Sequence, residues 1–128
     1  MPPGLNPDEI QKTCAQIYYM LAEKYIPKRA WEFADAIGVK PSAVKISNAK
    51  TKWGSCSAKK SLNFSWILMM CGSALVDYVI IHELAHLIEL SHNQRFWRIV
   101  NTLMPNYKIY KAKLWDTGKR INAEYWFD

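Results

Sequence analysis

The stretch His82-Glu83-Leu84-Ala85-His86-Leu87-Ile88-Glu89-Leu90-Ser91-His92 contains all three histidines of a chain of 128 residues. His82 and His86 are four positions apart, and four residues of α-helix advance about 40° around the axis and about 6 Å along it. Both imidazoles therefore lean over one face. Glu83 is offset from His82 by about 100°, where its carboxylate reaches a water on a metal held by the two rings without ligating the metal itself. In H-E-x-x-H, two nitrogens hold Zn²⁺ and the glutamate takes the proton of the metal's water.

His92 supplies the third ligand in this reading. It is ten residues beyond His82, and an unbroken helix would carry it about 15 Å along the axis, too far to share one ion. The helix must end in between. Metalloproteases with this spacing commonly break there with a glycine, and this chain has Glu89 at that place. Ser91-His92-Asn93-Gln94 reads as a capping box that starts a new helix, with Ser91 as N-cap, Gln94 at N3 and His92 as the first helical residue, aimed back at the metal. Glu89, Asp116 and Glu124 stand as alternative third ligands.

Around the motif, Ala74, Leu75, Val76, Val79, Ile80, Ile81, Leu84, Ala85, Leu87 and Ile88 make the carrier helix apolar nearly all round, the pattern of a buried helix. Polar side chains in such a helix cost several kcal/mol (roughly) unless something satisfies them. A metal would. Three neutral imidazoles suit Zn²⁺, and also Ni²⁺ or Co²⁺.

Upstream, Gly72-Ser73 opens the helix, with Ser73 expected as N-cap. Leu62 to Leu68 alternates as a strand, with Leu62, Phe64, Trp66 and Leu68 on one side and Asn63 and Ser65 on the other. Ala43 to Ser47 alternates likewise. The two are expected to pair antiparallel, because the polar loop between them is too short for a crossover helix. Before them, Asn6-Pro7-Asp8-Glu9 starts a helix to about Lys24 with Ile10, Cys14, Ile17, Tyr18, Leu21 and Tyr25 on one stripe. Pro27 divides it from a second helix, Lys28 to Ile37, which Gly38 terminates. Downstream, Phe96, Trp97, Val100 and Leu103 mark a short helix whose aromatic pair packs on the active helix, and helix resumes from Tyr107 through Trp115.

Half of the residues are apolar, enough for one domain over residues 1–128. Seventeen basic against 11 acidic side chains leave a net charge of +6, which favours anionic partners. Cys14, Cys56 and Cys71 are odd in number and widely spaced, which suits reduced thiols in a cytoplasm. The N-terminus shows no secretory pattern, and charged or polar motif residues interrupt the longest apolar run, so no membrane span is expected. Oligomeric state is not encoded legibly.

Four ordered segments, Thr51-Lys52-Trp53-Gly54-Ser55-Cys56-Ser57, Leu62-Asn63-Phe64-Ser65-Trp66, Asp77-Tyr78-Val79-Ile80-Ile81-His82-Glu83-Leu84-Ala85-His86 and Ser91-His92-Asn93-Gln94-Arg95-Phe96-Trp97, resemble the YgjP-like metallopeptidase family over about residues 40–107. More distantly the chain is similar to the SprT-like zinc proteases. The resemblance implies a zincin-like α+β fold, with helices packed on a small sheet, a metal on His82, His86 and His92, and Glu83 as general base.

The function expected is that of a zinc-dependent hydrolase acting on a peptide or protein, with substrate added to the sheet edge at Leu62 to Leu68. Tyr78, Arg95, Tyr107 and Tyr110 are candidates to stabilise an oxyanion. Cys56 has no free imidazole to activate it and reads as packing. One alternative keeps the zinc and makes the substrate a nucleoside triphosphate, bound by Lys50, Lys52, Lys59 and Lys60. Another is a nucleic-acid-binding module with structural zinc, its basic track formed by Lys45 to Lys60 and by Lys108, Lys111, Lys113, Lys119 and Arg120.

Overall fold

The computed structural model describes residues 7–48 and 52–120. Asn6, Lys50, Glu124 and the side chain of Arg120, all invoked above, lie outside the described residues. In chain order the elements are α1 (Pro7–Ile37), β1 (Ala43–Ser47), β2 (Gly54–Cys56), β3 (Ser61–Ser65), a 3-10 helix (Trp66–Cys71), α2 (Ser73–Ala85), α3 (Gln94–Leu103) and α4 (Tyr107–Arg120). This is the expected α+β arrangement of helices around a small sheet.

The first difference is in α1, which is one helix of 31 residues with Pro27 inside it rather than two helices. Interior proline removes a hydrogen bond and costs about 3 kcal/mol. Burial outweighs that cost. Ala22, Ile26, Ala30 and Ala34, each four residues from the next, are fully buried on a continuous line that runs past the proline. Three of the four are alanine, which lets α1 approach α2 and the 3-10 helix closely. The expected stripe is also rotated: Cys14 is exposed, and Ile17 and Leu21 are 51% and 46% exposed.

The sheet differs in topology. β1 pairs with β3 in parallel, Val44 opposite Leu62 and Ile46 opposite Phe64, and not antiparallel as expected. The loop between them contains β2, which pairs antiparallel with β3, Cys56 opposite Leu62, so the strand order is β1-β3-β2. β2 is thus the return leg that a parallel pair needs. The hairpin closes through residues 57–60, where Lys60 takes φ 65. β3 stops at Ser65, whose side chain accepts a hydrogen bond from the Ile67 amide at 3.3 Å and caps the 3-10 helix. Leu68 is buried from that helix and not from a strand.

The N-cap of α2 is Gly72, with φ 93 and ψ 156, in place of the expected Ser73. No side chain caps this end. α2 packs against α1, the 3-10 helix, β2, β3, α3 and α4, which is why it carries an unbroken buried run from Tyr78 to Ala85. Asp77 ties it to α1, accepting from the Tyr25 hydroxyl at 2.8 Å and pairing with Arg29 at 3.3 Å. α4 extends past Trp115 to Arg120 and buries Leu114. Among the described residues no helix is long and apolar enough to cross a membrane.

Candidate metal centre

α2 ends at Ala85, within the motif. The Leu87 and Ile88 amides bond the carbonyls of Leu84 and Ala85 three residues back, a tightening that ends the helix. No residue between His86 and Asn93 takes a positive φ, so the reversal needs no glycine. Glu89 closes it with its side chain. One carboxylate oxygen accepts from the Ser91 amide at 3.4 Å and from Asn93 Nδ2 at 3.2 Å, and the other lies 3.5 Å from Arg95.

The cap of α3 is Asn93, whose Oδ1 accepts from the Phe96 amide at 3.1 Å. Ser91 is not the cap, and His92 precedes the helix as the residue before the N-cap. A side-chain oxygen three residues ahead of the Phe96 amide is what this end needs, and asparagine meets it as well as serine. From there His92 turns back over α2.

The three Nε2 atoms converge. His92 Nε2 lies 3.1 Å from His86 Nε2 and 3.3 Å from His82 Nε2. His92 has at most one proton on that nitrogen and faces two neighbouring acceptors, so hydrogen bonding alone cannot satisfy the cluster. A cation can: two nitrogens bound at about 2.0–2.1 Å to a tetrahedral Zn²⁺ are about 3.3–3.4 Å apart. His86 Nδ1 lies 3.1 Å from the Glu89 carbonyl oxygen, which can only accept. That bond places the ring proton on Nδ1 and leaves the Nε2 lone pair facing the other histidines.

Aromatic rings hold the imidazoles in place. Phe96 stacks on His86 at 4.5 Å and 9°, and meets His82 edge-on at 4.9 Å. Trp97 stacks on His92 at 6.2 Å and is itself backed by Tyr107 at 5.1 Å. His82 and His86 are buried and His92 is exposed, so the cluster opens on the His92 side. Glu83 is fully buried beside them. Among the described residues His82, His86 and His92 form the group able to hold a metal. Glu89 is engaged in the turn, and Asp116 is exposed on α4.

Gly54 reads from the sequence as a turn residue beside Trp53, and the structure instead places it in β2 at the site. A Cβ there would lie 3.0 Å from Phe64 Cδ1 and 3.2 Å from both Glu83 Cγ and Val79 Cγ1, so β2 lies directly on α2 beside Glu83. The sheet edge next to the cluster therefore belongs to β2. β3, the expected docking edge, is the central strand and has both sides paired. Ser65 is buried, half-buried Asn63 sits mid-sheet opposite Lys45 and Ser55, and Cys56 is half-buried.

The four oxyanion candidates separate. Tyr78 is fully buried, and burial first, with Tyr107 and Glu83 adding, pushes its hydroxyl above its ordinary pKa. Arg95 is paired with Glu89, and Tyr110 lies under Lys113 on α4. Tyr107 is half-buried on the open side, lining a cleft that begins at His92. Lys52, Lys59 and Lys60 do not line that cleft.

Comparison with known proteins agrees with this geometry. Residues 1–117 match the family described as YgjP-like, metallopeptidase domain. The fold is similar to the metallopeptidase zymogen abylysin of Pyrococcus abyssi, with a TM-score of 0.64 and 22% identity, covering 76% of this chain and 95% of that one. It is similar to the same degree to the metallopeptidase zymogen jannalysin of Methanocaldococcus jannaschii, with a TM-score of 0.64 and 21% identity, covering 72% and 95%. No curated protein sequence matches.

Proposed function

The chain belongs to the YgjP-like metallopeptidase family, and from that premise we propose that it is a zinc-dependent peptidase with Glu83 as general base. The observation that carries this reading is the convergence of His82, His86 and His92 on one point through Nε2, at 3.1 and 3.3 Å. They are the residues that hold the metal. When bound there, Zn²⁺ lowers the pKa of a coordinated water to about 7 and polarises the scissile carbonyl.

Glu83 accepts the proton of the attacking water and delivers it to the leaving amine. Its burial against β2 keeps the carboxylate in a fixed position. An extended peptide binds along the outer edge of β2, Gly54–Cys56, the strand nearest Glu83. Of the four oxyanion candidates, Tyr107 is the one we assign that role, because it lines the cleft that begins at His92. Three free cysteines fit a reducing cytoplasm, where we place the protein.

Zinc content and peptide hydrolysis, measured together on the parent chain and on Glu83→Gln, test this. The parent should bind one zinc and cleave peptide, and the variant should keep the zinc and lose about 10²–10⁴ in kcat. Undiminished hydrolysis by Glu83→Gln, or no zinc on either chain, would sink the reading.

A further inference from the structure

A cleft of about 940 Å³ opens at His92 and runs along α3 to the start of α4. Trp97 and Tyr107, stacked at 5.1 Å and 14°, give it a flat apolar wall. Among the described residues its charged lining groups are Arg98 and Lys108, and no aspartate or glutamate lines it. Neither cation is ion-paired with a described residue. Lys111 adds a third positive charge at the wall, its Nζ 4.4 Å from the centroid of the Trp97 ring. The acid of the His86–Asn93 turn, Glu89, does not line the cleft and is engaged by Ser91, Asn93 and Arg95.

A concave wall carrying one sign of charge focuses its field on whatever enters. A guanidinium in addition binds a carboxylate through two parallel hydrogen bonds. On the peptidase reading His92 is a metal ligand, so a cleft that begins at His92 adjoins the place of the scissile carbonyl.

We propose that this cleft is the specificity pocket of the site and that it selects a carboxylate, through Arg98 and Lys108, next to the bond to be cleaved. The inference rests on the peptidase reading above and deepens it. The carboxylate has two sources, an aspartate or glutamate side chain or the free C-terminus of the substrate, and the chemistry of recognition is the same for both.

The test is binding, with cleavage measured in parallel. Zinc-loaded full chain carrying Glu83→Gln is titrated with fluorescein-labelled alanine-based peptides that differ at one central position, Glu, Gln or Lys, each with a free or an amidated C-terminus. The Glu peptide should bind about tenfold more tightly than the Gln peptide at low salt and progressively less so as salt is added, with the Lys peptide weakest. Adding Arg98→Ala and Lys108→Ala should bring the Glu-to-Gln ratio close to one with zinc content unchanged. Adding Arg98→Glu and Lys108→Glu should instead favour the Lys peptide.

If affinity follows the free C-terminus whatever the central residue, the pocket takes a terminal carboxylate and the proposal stands in that form. Equal binding of all peptides, no binding, or a preference that survives the double substitution overturns it. Zinc-loaded parent chain assayed on the same peptides separates the two readings. A Glu preference without hydrolysis sinks the peptidase reading alone, and hydrolysis without preference sinks the pocket alone.

Discussion

Gly54 is where strand and helix meet at the site, and its importance is steric. With Phe64 Cδ1 at 3.0 Å and Glu83 Cγ and Val79 Cγ1 at 3.2 Å from a Cβ at this position, one added methyl forces its packed neighbours to give by a few tenths of an ångström. Gly54→Ala should lose about 1–3 kcal/mol in urea unfolding, and a variant as stable as the parent would mean that β2 relaxes off α2. The cysteines give a second prediction at this scale. Burial pushes the Cys71 thiol from its ordinary 9.0 up to about 12, while Cys14 is exposed. The folded state therefore holds that proton more tightly than the unfolded chain does. The contribution to stability is complete below about pH 9 and is lost as pH rises through 12, and burial of Tyr78 acts in the same direction. Native protein treated with iodoacetamide near neutral pH should alkylate Cys14 and spare Cys71, because the thiolate is what reacts. Equal labelling in a mass spectrum would contradict the partial burial of Cys71.

At the level of elements, α3 positions His92, the proposed third ligand. Its cap on Asn93 fixes the first turn, and that turn presents Phe96 to His86 and Trp97 to His92. Asn93→Ala removes both the cap and a partner of Glu89. It should cost about 1 kcal/mol of stability and weaken zinc binding about tenfold, since partners of ligand residues orient them. Competition with a chelator would read this, and unchanged zinc affinity would show that ring stacking alone holds His92. The same segment shows what was legible in advance. The need for a helix break between His86 and His92 follows from the 1.5 Å rise per residue. Which residue caps the next helix does not, because Ser91 and Asn93 both have side-chain acceptors and only the path of the turn chooses between them. α1 is similar: Pro27 argues for a break, and the buried line from Ala22 to Ala34 overrides it.

For the whole molecule, α2 is the axis around which the other elements close. The three histidines become neighbours when α3 folds back over it, so the proposed metal binding would be linked to folding. Zinc at about 100 times its Kd should raise unfolding stability by about 2.7 kcal/mol. His92→Ala should lose most of that gain while leaving the metal-free protein close to the parent in stability, because His92 is exposed. Scanning calorimetry across a zinc series would test it, and an equal upward shift in His92→Ala would remove His92 from the ligand set.

The sequence by itself determined the local terms: an apolar helix bearing His82 and Glu83 with His86 at its end, the strand at Ala43 to Ser47, the break before His92, and the family resemblance carried by four motifs. These depend on helix and strand periodicity, which a chain displays residue by residue. The tertiary structure alone decided the parallel pairing of β1 with β3, the insertion of β2, the contact of Gly54 with Glu83, and the cationic cleft between α3 and α4. Each of those depends on how whole elements pack against one another, which is settled by what the core can pack and not by any local pattern.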